Sequence, residues 1–138
     1  MKTKANTYSI LGKTYEAKPL KLQLNKNSFS LIRELNEYIK SETELTAEEM
    51  KNPEYSLIIS LAITGFISNE MNCARVLDTF LEGNEDWSQV IRDNQDKFGE
   101  IKISSIKILN DFFLNVLKLT RTYAGSYLSL KNYWKIQK

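Results

Sequence analysis

The stretch Ser56–Ile67, SLIISLAITGFI, constrains this chain more than any other. Nine of its twelve residues are Leu, Ile, Ala, Gly or Phe, and none is charged. As a helix it is about 18 Å long, against the roughly 30 Å of a bilayer core. It therefore reads as a central helix covered on nearly every side, not as a membrane span. Asn52, Pro53 and Glu54 supply an N-cap, a proline for the first helical position and an acid for the first turn. Ser56, Ser60, Thr64 and Ser68 recur every four residues, a narrow stripe of small polar groups along which a second helix could come close. Gly65 lowers helix propensity but permits close packing.

Length and composition set the frame for that helix. A chain of 138 residues fits one domain with its own core, without metal or disulfide staples. There is one cysteine, Cys73, so no internal disulfide can form, and there is no histidine. The usual acid–base group near neutral pH and the commonest metal ligand are both missing. The expectation is no enzyme, no cofactor and no metal. The opening residues 1–7 are polar and no apolar signal-peptide core follows them.

The net charge of +2 is unevenly placed. Residues 1–33 carry seven basic groups and one acid, residues 34–111 seven and sixteen, and residues 112–138 five and none. Basic ends thus flank an acidic middle. Such ends either attract the middle across the fold or meet an acidic partner or nucleic acid.

Local patterns fill in the elements. Tyr8 and Ile10, then Tyr15 and Ala17, alternate with polar neighbours around Gly12-Lys13, which predicts a hairpin with a two-residue turn. Leu20, Leu22 and Leu24 alternate in the same way and suggest a third extended segment. Asn27 or Ser28 can cap a helix whose apolar face is Phe29, Ile32, Leu35, Tyr38 and Ile39. Thr46 and Glu49 form a capping-box pattern. Asn72 is a cap for a helix facing inward through Val76, Leu77, Phe80 and Leu81, with Gly83 as its stop. Asp86 and Gln89 repeat the box before Trp87, Val90 and Ile91. From about Ile103 a long stripe runs through Ile106, Leu109, Phe113 and Val116, and on to Tyr123, Tyr127, Leu130 and Trp134, with Gly125 as a place for a break.

Chemistry-bearing groups are sparse. The paired acids Glu48/Glu49, Glu85/Asp86 and Asp93/Asp96 sit in polar stretches, as helix-terminal and surface acids do. Cys73 falls at an expected helix start, where a thiolate is favoured, but no histidine can serve it as base, so it reads as a quiet thiol. The five glycines are scattered and make no phosphate loop. The basic aromatic segment 121–138 is the most distinctive surface candidate. Arg121, Lys131, Lys135 and Lys138 could contact phosphates while Tyr123, Tyr127, Tyr133 and Trp134 stack on bases. Their helical spacing equally suits packing or a protein-binding arm.

One further pointer is a resemblance. The segment Ile10-Leu11-Gly12-Lys13-Thr14-Tyr15-Glu16-Ala17-Lys18-Pro19-Leu20, followed by Leu31-Ile32-Arg33-Glu34-Leu35, resembles the opening of small tail assembly chaperones of tailed phages. It covers about 25 residues. The resemblance implies a helical protein after the hairpin and a binding role, coating a tape-measure protein while tail tube subunits assemble.

Together these readings predict a mainly α fold, a helical bundle of about four to six helices with a small N-terminal β-hairpin. A single domain is expected over 1–138, with a hairpin and extended segment at 8–24, a helical core at 27–120 and a helix extension or arm at 121–138. The expected function is holding an apolar helical client during phage or phage-like particle assembly. The candidate protein-binding residues are Phe29, Ile32, Leu35, Tyr123, Tyr127 and Trp134. The expected partners are a tape-measure-like or tail protein and further copies of the chain, with no membrane. The expected place is the host cytoplasm or the particle itself. Two alternatives stay open: a structural component making permanent contacts between copies, and a nucleic-acid-binding accessory protein using Arg121, Lys131, Lys135 and Lys138.

Overall fold

The computed structural model describes the backbone of residues 6–122 and the side chains of residues 6–115. The architecture is mainly α, a helical bundle preceded by a small antiparallel hairpin. Seven α-helices lie among the described residues, two of them single turns. The chain divides into two compact units, Met1–Ile108 and Leu109–Lys138.

Strands β1 (Thr7–Ile10) and β2 (Lys13–Glu16) pair with Tyr8 opposite Tyr15 and Ile10 opposite Lys13. Tyr8 and Ile10 are buried, while Thr7 and Ser9 face outward. The turn falls one residue earlier than the sequence pattern suggests. Leu11 and Gly12 are its central residues, at φ 53° and 81°. Two consecutive left-handed residues give the turn whose twist matches the strands.

A two-stranded ribbon is marginal alone, and this one is tied to a helix end. Lys18 N–H donates to the Phe80 carbonyl at 2.8 Å, Glu82 N–H donates to the Glu16 carbonyl at 2.8 Å, and Ala17 bridges Leu81. Tyr15 stacks edge-on against Trp87, 4.9 Å between centroids, and its hydroxyl donates to Glu85 Oε2 at 2.7 Å.

The expected third extended segment is instead a one-turn helix, α1 (Leu20–Gln23). Pro19 sets it up at φ −53°, with its carbonyl accepting from Leu22 and Gln23. The buried Gln23 side chain then donates to the Lys18 carbonyl. A buried glutamine in the middle of an alternating pattern is what made that pattern misleading.

Helix α2 (Lys26–Thr43) starts with a full capping box between Asn25 and Ser28, so Asn25 is the cap, two residues before the expected Asn27. Ser28, Leu31, Ile32, Leu35 and Ile39 are buried. The helix ends with Glu44 in the left-handed conformation, φ 58°. Helix α3 (Ala47–Met50) carries the capping box read at Thr46 and Glu49. Asn52 then caps the 3-10 turn Pro53–Tyr55, which leads into α4 (Ser56–Ile67).

Helix α5 (Glu70–Phe80) is capped by Asn69, three residues before the expected Asn72, and buries Cys73, Ala74, Val76, Leu77 and Phe80. Helix α6 (Trp87–Asp93) is capped by Asp86 and buries Trp87 and Ile91. Helix α7 (Phe98–Thr122) begins earlier than expected and runs through Gly99. Its buried face is Ile101, Ser105, Ile108, Leu109 and Phe112. Ile106 is only half-buried and Phe113 is exposed. Ser105 hides the true stripe from an apolar pattern: its hydroxyl is satisfied by the Ile101 carbonyl at 3.1 Å, so it can be buried.

Among the described residues no single helix is long and apolar enough to cross a membrane. The adjoining Pro53–Ile67 and Glu70–Phe80 reach that length and composition together but bend by 96°.

Candidate protein-binding face

Helix α4 is not covered on nearly every side. Its inward residues Ala62, Phe66 and Ile67 are buried, but Leu57 is 70%, Ile58 46% and Leu61 64% exposed. The reason lies in the wheel. Leu57, Leu61, Thr64 and Ser68 fall within one narrow sector at 100° per residue, opposite Phe66. The small polar stripe Ser56, Ser60, Thr64 and Ser68 faces solvent rather than another helix. Its hydroxyls bond back along the helix, Thr64 to the Ser60 carbonyl at 2.9 Å and Ser68 to the Thr64 carbonyl at 2.8 Å. The residues thus serve as a solvent face carrying three large apolar side chains.

Helix α2 supports α4 closely. A Cβ placed on Gly65 would lie 2.7 Å from Tyr38 Oη, so glycine is what lets the tyrosine sit on the helix. The Tyr38 ring meets Phe66 edge-on, 5.5 Å between centroids at 65°. Beside this contact an open groove of about 250 Å3 is lined by Tyr38, Glu42 and Thr43 of α2 and by Ile58, Leu61 and Ala62 of α4. Its size suits one inserted side chain rather than a cofactor, for which sites run to about 300–1,000 Å3. Ile58, Leu61 and Ala62 give the lining its apolar part, and Glu42 gives it a carboxylate.

The candidates read from the sequence fall elsewhere. Phe29 is half exposed at the start of α2. Ile32 and Leu35 are buried in the core, because they share the inward face of α2 with Leu31 and Ile39, and so do not face a partner in the folded chain. Tyr123, Tyr127, Lys131, Trp134, Lys135 and Lys138 lie outside the described residues. Arg121 lies on α7, beyond the side chains described. Leu57, Ile58, Leu61, Tyr38 and Glu42 come together instead. The signal for them was present: a polar residue every fourth position is the mark of a face turned to water.

Several of the groups able to carry chemistry have structural partners. Burial pushes the Cys73 thiol up, away from the reactive thiolate. Its sulfur lies 3.1 Å from Ser105 Oγ. The serine hydroxyl donates to Ile101, which leaves its oxygen to accept the thiol proton. Glu49 accepts from Thr46 N–H, which holds its carboxyl below the ordinary range. Asp86 caps α6, Glu85 accepts from Tyr15, and Asp93 accepts from Gln89. Burial, then the neighbouring Asp86, raises the Asp78 carboxyl, and burial and Glu85 push the Tyr15 hydroxyl up to about 12. Arg75 pairs with Glu34 and lowers its carboxyl. Among the described residues no three His, Cys, Asp or Glu gather as a metal-holding group.

Comparison with family models, curated proteins and solved structures finds no match to this chain.

Proposed function

We propose that this chain is a non-enzymatic protein-binding module that holds an apolar helical client against the outer face of α4. The observation that carries the reading is the group Leu57, Ile58 and Leu61, exposed on one helix beside the open groove. An amphipathic helix laid into a groove uses anchors at such spacings. Fully burying a large aliphatic side chain gains about 1.5–3 kcal/mol, and association itself costs about 4–15 kcal/mol. Three exposed anchors therefore favour a contact that forms and releases over a permanent one. The hairpin resemblance supplies the setting: assembly of a phage or phage-like tail in the host cytoplasm, with a tape-measure-like or other tail protein as client.

The test is titration of the full chain with a neutral amphipathic helical peptide, followed by the methyl signals of Leu57, Ile58 and Leu61. Saturable shifts centred on those methyls, with the Ile58 shift lost in Leu57→Ser/Leu61→Ser while unfolding is unchanged, support the reading. A peptide that leaves those methyls unmoved refutes it. The setting is tested by coexpression with a tape-measure segment that precipitates alone. The wild-type chain is expected to keep it soluble, and the double variant is not.

A further inference from the structure

We infer that the outer face of α4 and its groove take the basic segment 121–138 of a second copy of this chain. The inference rests on reading α4 as a protein-binding face, and it names the occupant.

Charge is the first argument. Over residues 34–67, which include most of α2 and all of α3 and α4, seven glutamates stand against two lysines, a net charge of −5. One of those glutamates, Glu42, lines the groove itself, and Glu54 lies in the turn that leads into α4. Segment 121–138 carries Arg121, Lys131, Lys135 and Lys138 and no acid. Complementary charges of this kind steer association and fix register.

The second argument is the pattern of anchors. Tyr123, Tyr127, Leu130 and Trp134 are spaced four, three and four residues apart. That spacing places them along one face if the segment is helical. The α4 surface offers Leu57 and Leu61 one turn apart, with Ile58 at the mouth of a groove sized for one large side chain. Aromatic anchors filling a pocket near the centre of a contact are the usual composition of a binding hot spot.

The third argument concerns which copy provides the segment. Leu57 and Leu61 are largely exposed and one turn apart, and an exchange puts the same face and the same segment to use twice. Two copies that exchange segments form a closed pair, because each gives one segment and receives one.

The experiment uses full-length chains and light scattering across a concentration series, at low and high salt. The wild-type mass is expected to double with concentration. The pair should weaken by about tenfold or more at high salt, because Glu42 and Glu54 are exposed and salt screens exposed charges. Glu42→Lys/Glu54→Lys reverses the groove, and Lys131→Glu/Lys135→Glu reverses the segment. Each variant alone is expected to stay monomeric while unfolding like the wild type. Mixed together they are expected to pair, because the intact groove of one meets the intact segment of the other, and the two reversed surfaces also match. A wild-type chain that stays monomeric throughout overturns the inference. So does a mixture that stays monomeric, and so does a Leu57→Ser/Leu61→Ser variant that still pairs. If the neutral helical peptide binds α4 while the mixture stays monomeric, the second copy is the wrong occupant and the binding face stands. If neither binds, both fall.

Discussion

Gly65→Ala is expected to behave differently in two backgrounds, and the difference can be worked out from one contact. In a helix interior, replacing glycine by alanine gains about 1 kcal/mol. Here the new Cβ would meet Tyr38 Oη at 2.7 Å, too close for both to stay, while the next ring atom, Cζ, lies at 3.6 Å. The tyrosine must swing, and its edge-on contact with Phe66 goes with it. Such an aromatic pair contributes about 0.5–1.5 kcal/mol beyond its buried area. The two effects nearly cancel, so Gly65→Ala alone is expected to be neutral or to destabilise by about 0.5 kcal/mol at most. Tyr38→Phe removes only the oxygen, leaving an ordinary 3.6 Å contact. In that background Gly65→Ala is expected to show its full gain of about 1 kcal/mol. The coupling, about 1 kcal/mol, is read from urea and thermal unfolding of the four chains by circular dichroism, and corresponds to about 3–5 °C in Tm. An equal gain in both backgrounds would mean that Tyr38 does not rest on Gly65, and the account of how α2 supports α4 would be wrong.

Other outcomes follow from single residues. Leu61→Ser is expected to change unfolding free energy by less than about 0.5 kcal/mol, while Phe66→Ala on the opposite face costs about 3–5 kcal/mol; urea unfolding separates them, and similar losses would put Leu61 in the core. Leu11→Asn is expected to stabilise by about 0.5 kcal/mol, because asparagine tolerates the left-handed turn position better than leucine; a lower urea midpoint would refute the turn assignment. Cys73 is expected to resist thiol reagents in the folded chain and to react fully in denaturant. Its folded pKa is raised, so the stability it contributes is complete below about pH 8.5, the unfolded thiol's range, and falls as pH rises beyond it; a slope that persists in Cys73→Ala would belong to another group. The Tyr15 hydroxyl, pushed up to about 12, adds a second loss that begins near pH 10, visible as a steeper fall that Tyr15→Phe removes.

Much of the fold was legible because local rules agreed with it. The alternation of Tyr8 and Ile10, the capping box at Thr46 and Glu49, and the Asn52–Pro53–Glu54 start needed no tertiary information. The errors have physical causes. Ser28, Gln23 and Ser105 are polar and buried, each with a backbone partner, so apolar periodicity placed the stripes wrongly or missed a turn. The expectation that α4 is covered on nearly every side fails for a related reason. High mean hydropathy suggested a covered helix, whereas the exposure of Leu57 and Leu61 depends on where α2 and α5 leave room, which periodicity alone does not fix. Phe29, Ile32 and Leu35 were chosen as one face, yet the wheel of α2 turns Phe29 outward and the other two inward.

The hydrogen bonds that tie the hairpin to the end of α5 also set an order of events during synthesis. Ala17 and Leu81 are 64 positions apart, so the hairpin must wait for a partner made much later. At about 5–20 residues per second, that interval is roughly 3–13 s on the ribosome. Until Leu81 emerges, Glu16, Ala17 and Lys18 have no helix end to bond to, and Tyr15 waits longer still for Glu85 and Trp87. A nascent chain stalled before residue 80 would therefore present an open edge on β2, which the emergence of residues 80–87 closes.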